Sequence, residues 1–329
     1  MTNRNPLDPL PPSASRPLTV VAMGGHAFLQ EGERGTIEEH EENAERVVDL
    51  LMALVERGHR IVMTHGNGPQ VGNLLTQQEL AGEEAPSLPL DVLVAMTQGS
   101  LGYVLQQALL NRLRERHPDR RVMTIVTQVL VDRDDPAFED PSKPVGPFFS
   151  QSEAEARAEA SGWTIREDPE RGWRRVVPSP RPLEVLQYQM IREAATAGHI
   201  VIAGGGGGIP VLEDADGRFS GVEGVVDKDL TSSVLANRIG ASLLVILTAV
   251  PQVYRHFGTD GQEAIGAVTL EEIERLADDG HFPPGSMGPK VQAVIEFLRG
   301  GGARALITDA DSLPAAMEGR AGTHVVGRI

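Results

Sequence analysis

Apolar residues in this chain gather in short runs that stop at glycine. Thr19-Val-Val-Ala-Met23 is followed at once by Gly24-Gly25 and reads as a buried strand entering a turn. Thr36-Ile-Glu-Glu39 has the form of a capping box at a helix start. Behind it Val47, Val48, Leu51, Leu54 and Val55 recur at helical spacing, with Gly58 as the stop. Arg60-Ile-Val-Met-Thr64 is a second strand, ending in the loop His65-Gly-Asn-Gly-Pro69. Asp91 is placed to cap a long helix through Leu93, Met96, Leu101, Val104, Leu105 and Leu109, and Val122 to Thr127 reads as a third strand.

From Asp132 to Arg181 this rhythm breaks into Pro, Gly, Trp and charged residues. Trp163-Thr-Ile and Trp173-Arg-Arg-Val-Val flank Asp168-Pro-Glu-Arg-Gly172 as the arms of a hairpin, so the segment predicts a protruding lid. The rhythm resumes with a helix over Leu183 to Ala197, the strand His199 to Ala203 and five glycines, Gly204 to Gly208. Strands follow at Ser242 to Thr248 and Ala303 to Thr308, with His324-Val-Val as an added edge. Strands alternating with helices predict an α/β fold: a three-layer αβα sandwich around a mostly parallel open sheet, plus the lid subdomain.

Composition narrows the chemistry. The 329 residues allow one lobed domain or two, and 40% are hydrophobic, enough for a packed interior. Acidic residues outnumber Lys plus Arg by 46 to 30, a formal charge of −16, which argues against nucleic acid or an anionic membrane as partner. Without cysteine there is no disulfide, thiolate metal site or Cys nucleophile. Residues 1–17 lack the apolar stretch of a secretory signal and read as a disordered tail, and no run approaches the ~20 apolar residues of a membrane span. A cytoplasmic location is expected.

Strand ends in a parallel sheet are where ligands bind, and here several end in glycine or small polar residues: Gly24-Gly25, Gly66 with Gly68, Gly204 to Gly208, and Thr248-Ala249. Glycine lets backbone N–H groups approach an anion, and a helix N-terminus adds positive potential. The chain has no G-x-x-x-x-G-K-[ST] loop, no G-x-G-x-x-G after the first strand, no serine-hydrolase elbow and no His-x-x-x-His pair. His40 reads as a solvated helix residue. The lysines stand out: Lys143 lies in Pro141-Ser-Lys-Pro-Val-Gly-Pro147, Lys228 in Val226-Asp-Lys-Asp229, and Lys290 in Gly285-Ser-Met-Gly-Pro-Lys290, the last two opening helices. Compact ammonium groups at helix N-termini suit a migrating phosphoryl group.

Together these segments resemble carbamate kinase, a branch of the amino-acid kinase family. The stretches that carry the resemblance are Val20-Val-Ala-Met-Gly-Gly25, Thr64-His-Gly-Asn-Gly-Pro-Gln-Val-Gly72, Lys143-Pro-Val-Gly-Pro-Phe148 and Arg174-Arg-Val-Val-Pro-Ser-Pro180. Gly205-Gly-Gly-Gly-Ile-Pro-Val211, Val226-Asp-Lys-Asp-Leu230, Leu247-Thr248 and Gly285 to Lys290 follow in the family's order.

The resemblance implies an acceptor-binding half over 18–203, with the lid at 132–181, and a nucleotide-binding half over 204–329. It implies reversible phosphoryl transfer between ATP and carbamate, Mg²⁺ accompanying ATP or ADP, a homodimer, and no protein-held metal centre. Catalysis would fall to Lys228, Lys290, Asp229 and Lys143. Acceptor contacts would come from Gly24, Gly25, His26, Gly66, Asn67 and Gly68, and nucleotide contacts from Gly205, Gly206, Thr248, Val250, Tyr254, Met287 and Gly288. Two departures stand out: the first loop reads Gly24-Gly-His-Ala27 where the family has Gly-Gly-Asn-Ala, and Arg255-His256-Phe257 replaces an Asn before the aromatic. A kinase acting on another small carboxylate or carbamate-like acceptor read by His26, and a non-catalytic nucleotide- or metabolite-binding homologue, are the competing readings; the latter predicts loss of the lysines, which are all present.

Overall fold

Six residues of almost pure aliphatic sequence, Leu18–Met23, form the central strand β1, buried on both faces. A computed structural model describes residues 16–30, 32–168, 171–283 and 286–327, without the side chains of His26 and Glu83. Residues 1–15 of the expected tail, two residues of the hairpin turn (Pro169 and Glu170) and Gly285 of the last glycine motif lie outside the described residues.

After β1 come helix α1 (Ile37–Glu56), strand β2 (Arg60–His65), α2 (Gly68–Ala81) and the long α3 (Leu90–Arg116). Next are β3 (Val122–Thr124), β4 (Gln128–Val131), β5 (Lys143–Phe149), α4 (Gln151–Ser161), β6 (Thr164–Asp168), β7 (Gly172–Val177) and β8 (Pro182–Val185). The chain continues through α5 (Tyr188–Thr196), β9 (Ile200–Ile202), β10 (Ile209–Glu213), β11 (Phe219–Gly221), α6 (Lys228–Ile239) and β12 (Leu243–Leu247). It ends with β13 (Val253–Arg255), β14 (Glu263–Ile265), β15 (Ala267–Thr269), α7 (Leu270–Asp278), α8 (Met287–Arg299), β16 (Arg304–Thr308), α9 (Leu313–Ala316) and β17 (Thr323–Val326).

The main sheet runs β15-β17-β16-β12-β1-β2-β9-β3. Its pairings are parallel except for β16 with β17. Side chains alternate between two buried layers. Val20, Ala22, Leu244 and Ile246 meet Ile191 of α5, Leu235 of α6 and Val294 of α8. Val21, Met23, Leu243 and Val245 meet Leu51 of α1, Leu105 of α3 and Leu313 of α9. Covering both faces with helices is why the strands read as unbroken apolar runs, and it yields the expected αβα sandwich. The expected capping box forms as well: the Glu39 N–H donates to Thr36 Oγ1 at 3.4 Å and the Thr36 N–H to Glu39 Oε2 at 2.8 Å.

The lid is the antiparallel sheet β5-β7-β6 with α4 against it, and the hairpin falls where the Trp163 and Trp173 segments placed it. Its root is apolar: Val145 and Val177 pack with Val71 of α2 and with Leu93 and Val94 of α3. A smaller sheet, β11-β10-β4-β8, packs Ile209 with the lid root and Val129 and Val185 with the main core.

Five local expectations are corrected. The strand read over 122–127 stops at Thr124, because the Gln98 side chain takes the Thr127 N–H at 2.7 Å and the chain passes into the smaller sheet at Gln128. The helix expected from Leu183 begins only at Tyr188; before it β8 pairs with β4, and Gln187 Oε1 accepts the Gln128 N–H at 2.8 Å. Pro89, not Asp91, caps α3, since proline's missing N–H costs nothing at a helix start. His324 lies in a strand held between β16 and β15 rather than at an edge. His40 is half-buried with its Nε2 3.3 Å from Gln70 Nε2, and burial lowers its pKa, so it is not a solvated residue.

Candidate active site

Asp227 opens helix α6 in an extended conformation, and its Oδ1 accepts the N–H groups of Asp229 at 2.9 Å and Leu230 at 3.3 Å. That is the N-cap arrangement, satisfying donors the helix itself leaves open. One residue on, Lys228 sends its Nζ to Asp229 Oδ1 at 2.5 Å. Lys290, in the first turn of α8, reaches Asp229 Oδ2 at 3.2 Å. Asp229 is 2% exposed, so its two oxygens lie almost out of water with one ammonium on each. The bridge forms because α6 and α8 pack side by side through Leu235, Ala236, Val291 and Val294.

From the lid, Lys143 on β5 places its Nζ 3.0 Å from Asp227 Oδ2. Burial by itself would raise the pKa of Asp227, but the adjacent Lys143 ammonium, its hydrogen bond and Lys228 outweigh that and hold the carboxyl below its usual value. Lys143, Asp227, Lys228, Asp229 and Lys290 all line one cavity, with Gly66, Asn67, Gly68, Gly206 and Ser286 around them. Three ammonium groups against two carboxylates leave an excess positive charge there, in a chain whose overall charge is −16.

The glycines make the cavity possible by letting loops touch. A Cβ on Gly66 would stand 2.8 Å from the Gly25 nitrogen, and one on Gly206 would stand 2.4 Å from Asn67 Nδ2. Gly25 therefore lies against the β2 loop, where a Cβ would touch Gly68 N at 3.5 Å and Asn67 N at 3.7 Å. The Gly66 N–H is already used, donating to the Met23 carbonyl at 2.9 Å, whereas the Gly68 N–H opens helix α2, where helical geometry supplies no partner. Asn67 is 3% exposed and donates from Nδ2 to Thr97 Oγ1 at 2.7 Å, which fixes its amide. Gly24 precedes the short 3₁₀ turn Gly25–Ala27; the His26 backbone belongs to that turn and its side chain lies outside the described residues.

The expected nucleotide residues divide into two groups. Gly205 and Gly206 are buried under the β2 loop, where a Cβ on Gly205 would lie 2.6 Å from His65 Nε2. Thr248 directly follows β12 with its N–H on the Thr308 carbonyl at 2.9 Å, and Val250 and Tyr254 come after it, half-buried. Met287 and Gly288 begin α8 beside Ser286 and Lys290. Thr248, Val250, Tyr254, Met287 and Gly288 lie outside the lysine-lined cavity.

Some contributors escaped sequence reasoning. Asp227 was within a quoted motif, and an Asp just before a helix is itself a cap signal. His65 carried no such signal: it is buried, its Nδ1 lies 3.1 Å from the Gly66 carbonyl, and its ring meets Phe28 edge-on at 5.6 Å. Burial lowers its pKa to about 4, so the ring is neutral at pH 7. Thr97 and Gln98 of α3 hold Asn67 and the Gly205 carbonyl.

Residues 17–309 match the family model described as the amino acid kinase family. A carbamate kinase of Pyrococcus horikoshii is 46% identical over 93% of this chain and 98% of its own length. A carbamate kinase of Thermococcus kodakarensis is 47% identical over 93% of this chain and 98% of its own length. Among solved structures, the carbamate kinase from Giardia lamblia bound to AMP-PNP superimposes with a TM-score of 0.89 at 38% identity, covering 96% of this chain and 100% of that one.

Proposed function

The chain belongs to the amino acid kinase family, and from that premise we infer that it catalyses reversible phosphoryl transfer between ATP and carbamate. In the direction of ATP formation, a β-phosphate oxygen of ADP attacks the phosphorus of carbamoyl phosphate, the bond from phosphorus to the carbamoyl oxygen breaks, and carbamate leaves. The observation that carries this reading is the Asp229 bridge, which fixes Lys228 and Lys290 at one edge of a cavity that Lys143 overhangs.

Phosphoryl transfer calls for positioning and for positive charge around oxygens that share charge in the transition state. Lys228 and Lys290 meet that need without rearrangement, because Asp229 already holds both. Lys143 serves the acceptor side. Asn67 and Gly68 border the space for the carbamate and phosphoryl oxygens, Gly25 packs behind them, and Gly205 and Gly206 shape the loop beneath. Thr248, Val250, Tyr254, Met287 and Gly288 take the nucleotide on the outer side of Lys290, giving an acceptor half over 18–203 and a nucleotide half over 204–329.

Among the described residues no three His, Asp or Glu side chains converge as a metal cage. Asp227 and Asp229 are carboxylates that line the cavity, and they would be the protein oxygens offered to a Mg²⁺ ion arriving with the nucleotide phosphates. Such an ion would supply neutralising charge to the phosphate groups. A homodimer is part of the proposal: Val92, Met96, Tyr103 and Leu110 are exposed, and their spacing puts them on one side of α3, next to the edge strand β3. No helix of the described residues is long and apolar enough to cross a membrane, and exchange with ATP and ADP suits the cytoplasm.

The test is direct. Purified protein given carbamoyl phosphate, ADP and Mg²⁺ should form ATP in a coupled luciferase assay. No ATP above a Lys228→Ala control would overturn the proposal.

A further inference from the structure

The N-cap carboxylate of α6 and the one in its first turn together hold three lysines, one from the lid, one from α6 itself and one from α8. Asp229 holds Lys228 and Lys290, which leaves Asp227 to the lid. Asp227 uses its two oxygens for different purposes: Oδ1 caps α6, and Oδ2 receives Lys143 Nζ at 3.0 Å. The donor lies 84 positions away, on β5 of the lid. Elsewhere β5 rests on α2, where a Cβ on Gly72 would come 3.5 Å from Gly146 Cα, a contact by shape alone. The Asp227 side chain is 15% exposed and that of Lys143 36%, and both line the cavity.

We propose that Asp227 is a positioning residue that ties the lid to the catalytic helix, holding the Lys143 ammonium over the cavity before an acceptor arrives. The consequence for binding is entropic. A free lysine side chain loses rotamer freedom when it engages a ligand, and Asp227 has already removed most of that freedom. Because the same carboxylate caps α6, lid position and the position of Lys228 are set from one point. The inference rests on the reading that Lys143 serves the acceptor, and it adds the residue that aims it.

Asp227→Asn tests it, because asparagine caps a helix as well as aspartate does. With its oxygen kept by the cap, the amide turns its NH₂ toward Lys143 and the ion pair is gone. Thermal unfolding within a few degrees of the parent, and the same results from the cap-competent Asp227→Ser, would separate loss of the pair from loss of the helix. Backbone amides of β5 and β7 should exchange hydrogen roughly tenfold faster in the ligand-free variant, as expected for the loss of a charge-assisted hydrogen bond. The KM for carbamoyl phosphate should rise by a similar factor, with kcat and the KM for ADP changing far less. Asp227→Asn combined with Lys143→Ala should be no worse than Lys143→Ala alone. Unchanged lid exchange in Asp227→Asn, or additive losses in the double variant, would overturn the inference. Faster lid exchange with no change in carbamoyl phosphate use would uphold the tie and refute the acceptor role of Lys143.

Discussion

Lys290 lies 61 positions beyond Asp229, yet its Nζ stands 3.2 Å from Asp229 Oδ2, opposite the oxygen that Lys228 occupies. The two lysines are held apart and in place by one buried carboxylate. Their positive charge is therefore fixed before the reaction begins, which is the condition under which it stabilises a transition state most.

Replacing Lys228 or Lys290 by Ala or Met should lower kcat by a factor of ~10²–10³, the scale for loss of one preorganised donor. The KM for nucleotide should move much less. Steady-state kinetics with ADP and carbamoyl phosphate check this, and a Lys228→Ala enzyme with near-normal kcat would remove that lysine from the mechanism.

Asp229→Asn should reduce kcat by about as much as losing a lysine, since two ammonium groups then share a site with no carboxylate between them. Combining it with Lys290→Ala should cost less than the product of the two separate losses, because the partners act as one unit. Strict multiplicativity in that double variant would show that the bridge has no part in catalysis.

Lys143→Ala should weaken the use of carbamoyl phosphate and leave ADP affinity as it was. Isothermal calorimetry with ADP is the decisive control. Lost ADP binding would move Lys143 to the nucleotide side.

Gly207 and Gly240 both have positive φ, at +87° and +71°, so each alanine variant bears the left-handed cost of about 1–2 kcal/mol. They differ in surroundings. A Cβ on Gly207 would stand 2.1 Å from the Val226 carbonyl oxygen, whereas nothing lies within 4 Å of one on Gly240. Gly207→Ala should be the more destabilised in denaturant unfolding, and it should also slow catalysis, because Val226 leads directly into Asp227 and Lys228. Equal unfolding midpoints would contradict the geometry.

Stability should fall as the solution is acidified from neutrality. His65 has a folded pKa of about 4 because it is buried, against about 6.5 in the unfolded chain. Between those values the unfolded state takes up a proton that the native state refuses. The contribution is complete above about 6.5 and is lost progressively as the pH drops toward 4, at up to ~1.4 kcal/mol per unit. Urea midpoints measured from pH 7 to pH 4.5 should show this slope, and His65→Asn should make it shallower. His59, whose pKa burial also lowers to about 4, adds a slope of the same sign, so an identical slope in both proteins would mean that His65 contributes nothing to it.

Much of the architecture was legible because its signals are local. Thr36 and Glu39 declare a helix start within four residues, and an aliphatic run as short as Leu18–Met23, stopped at once by Gly24-Gly25, fits a strand covered on both sides. The lysines were legible too, since each sits in a glycine- or proline-marked segment whose order along the chain is distinctive. What sequence could not decide was which elements meet. Leu183 joins β8 rather than a helix because β4 is there to pair with it, and His40 is half-buried because α2 brings Gln70 against it. The ion pairs of the site behave the same way. Asp227 has two oxygens and several basic residues within reach in the unfolded chain; only the docking of the lid on α2 selects Lys143, just as only the packing of α6 on α8 brings Lys290 to Asp229. Local patterning depends on the preferences of neighbouring residues, which the order of amino acids contains. The pairing of charges tens of residues apart depends on which apolar faces bury one another, and that is settled only when the whole core assembles.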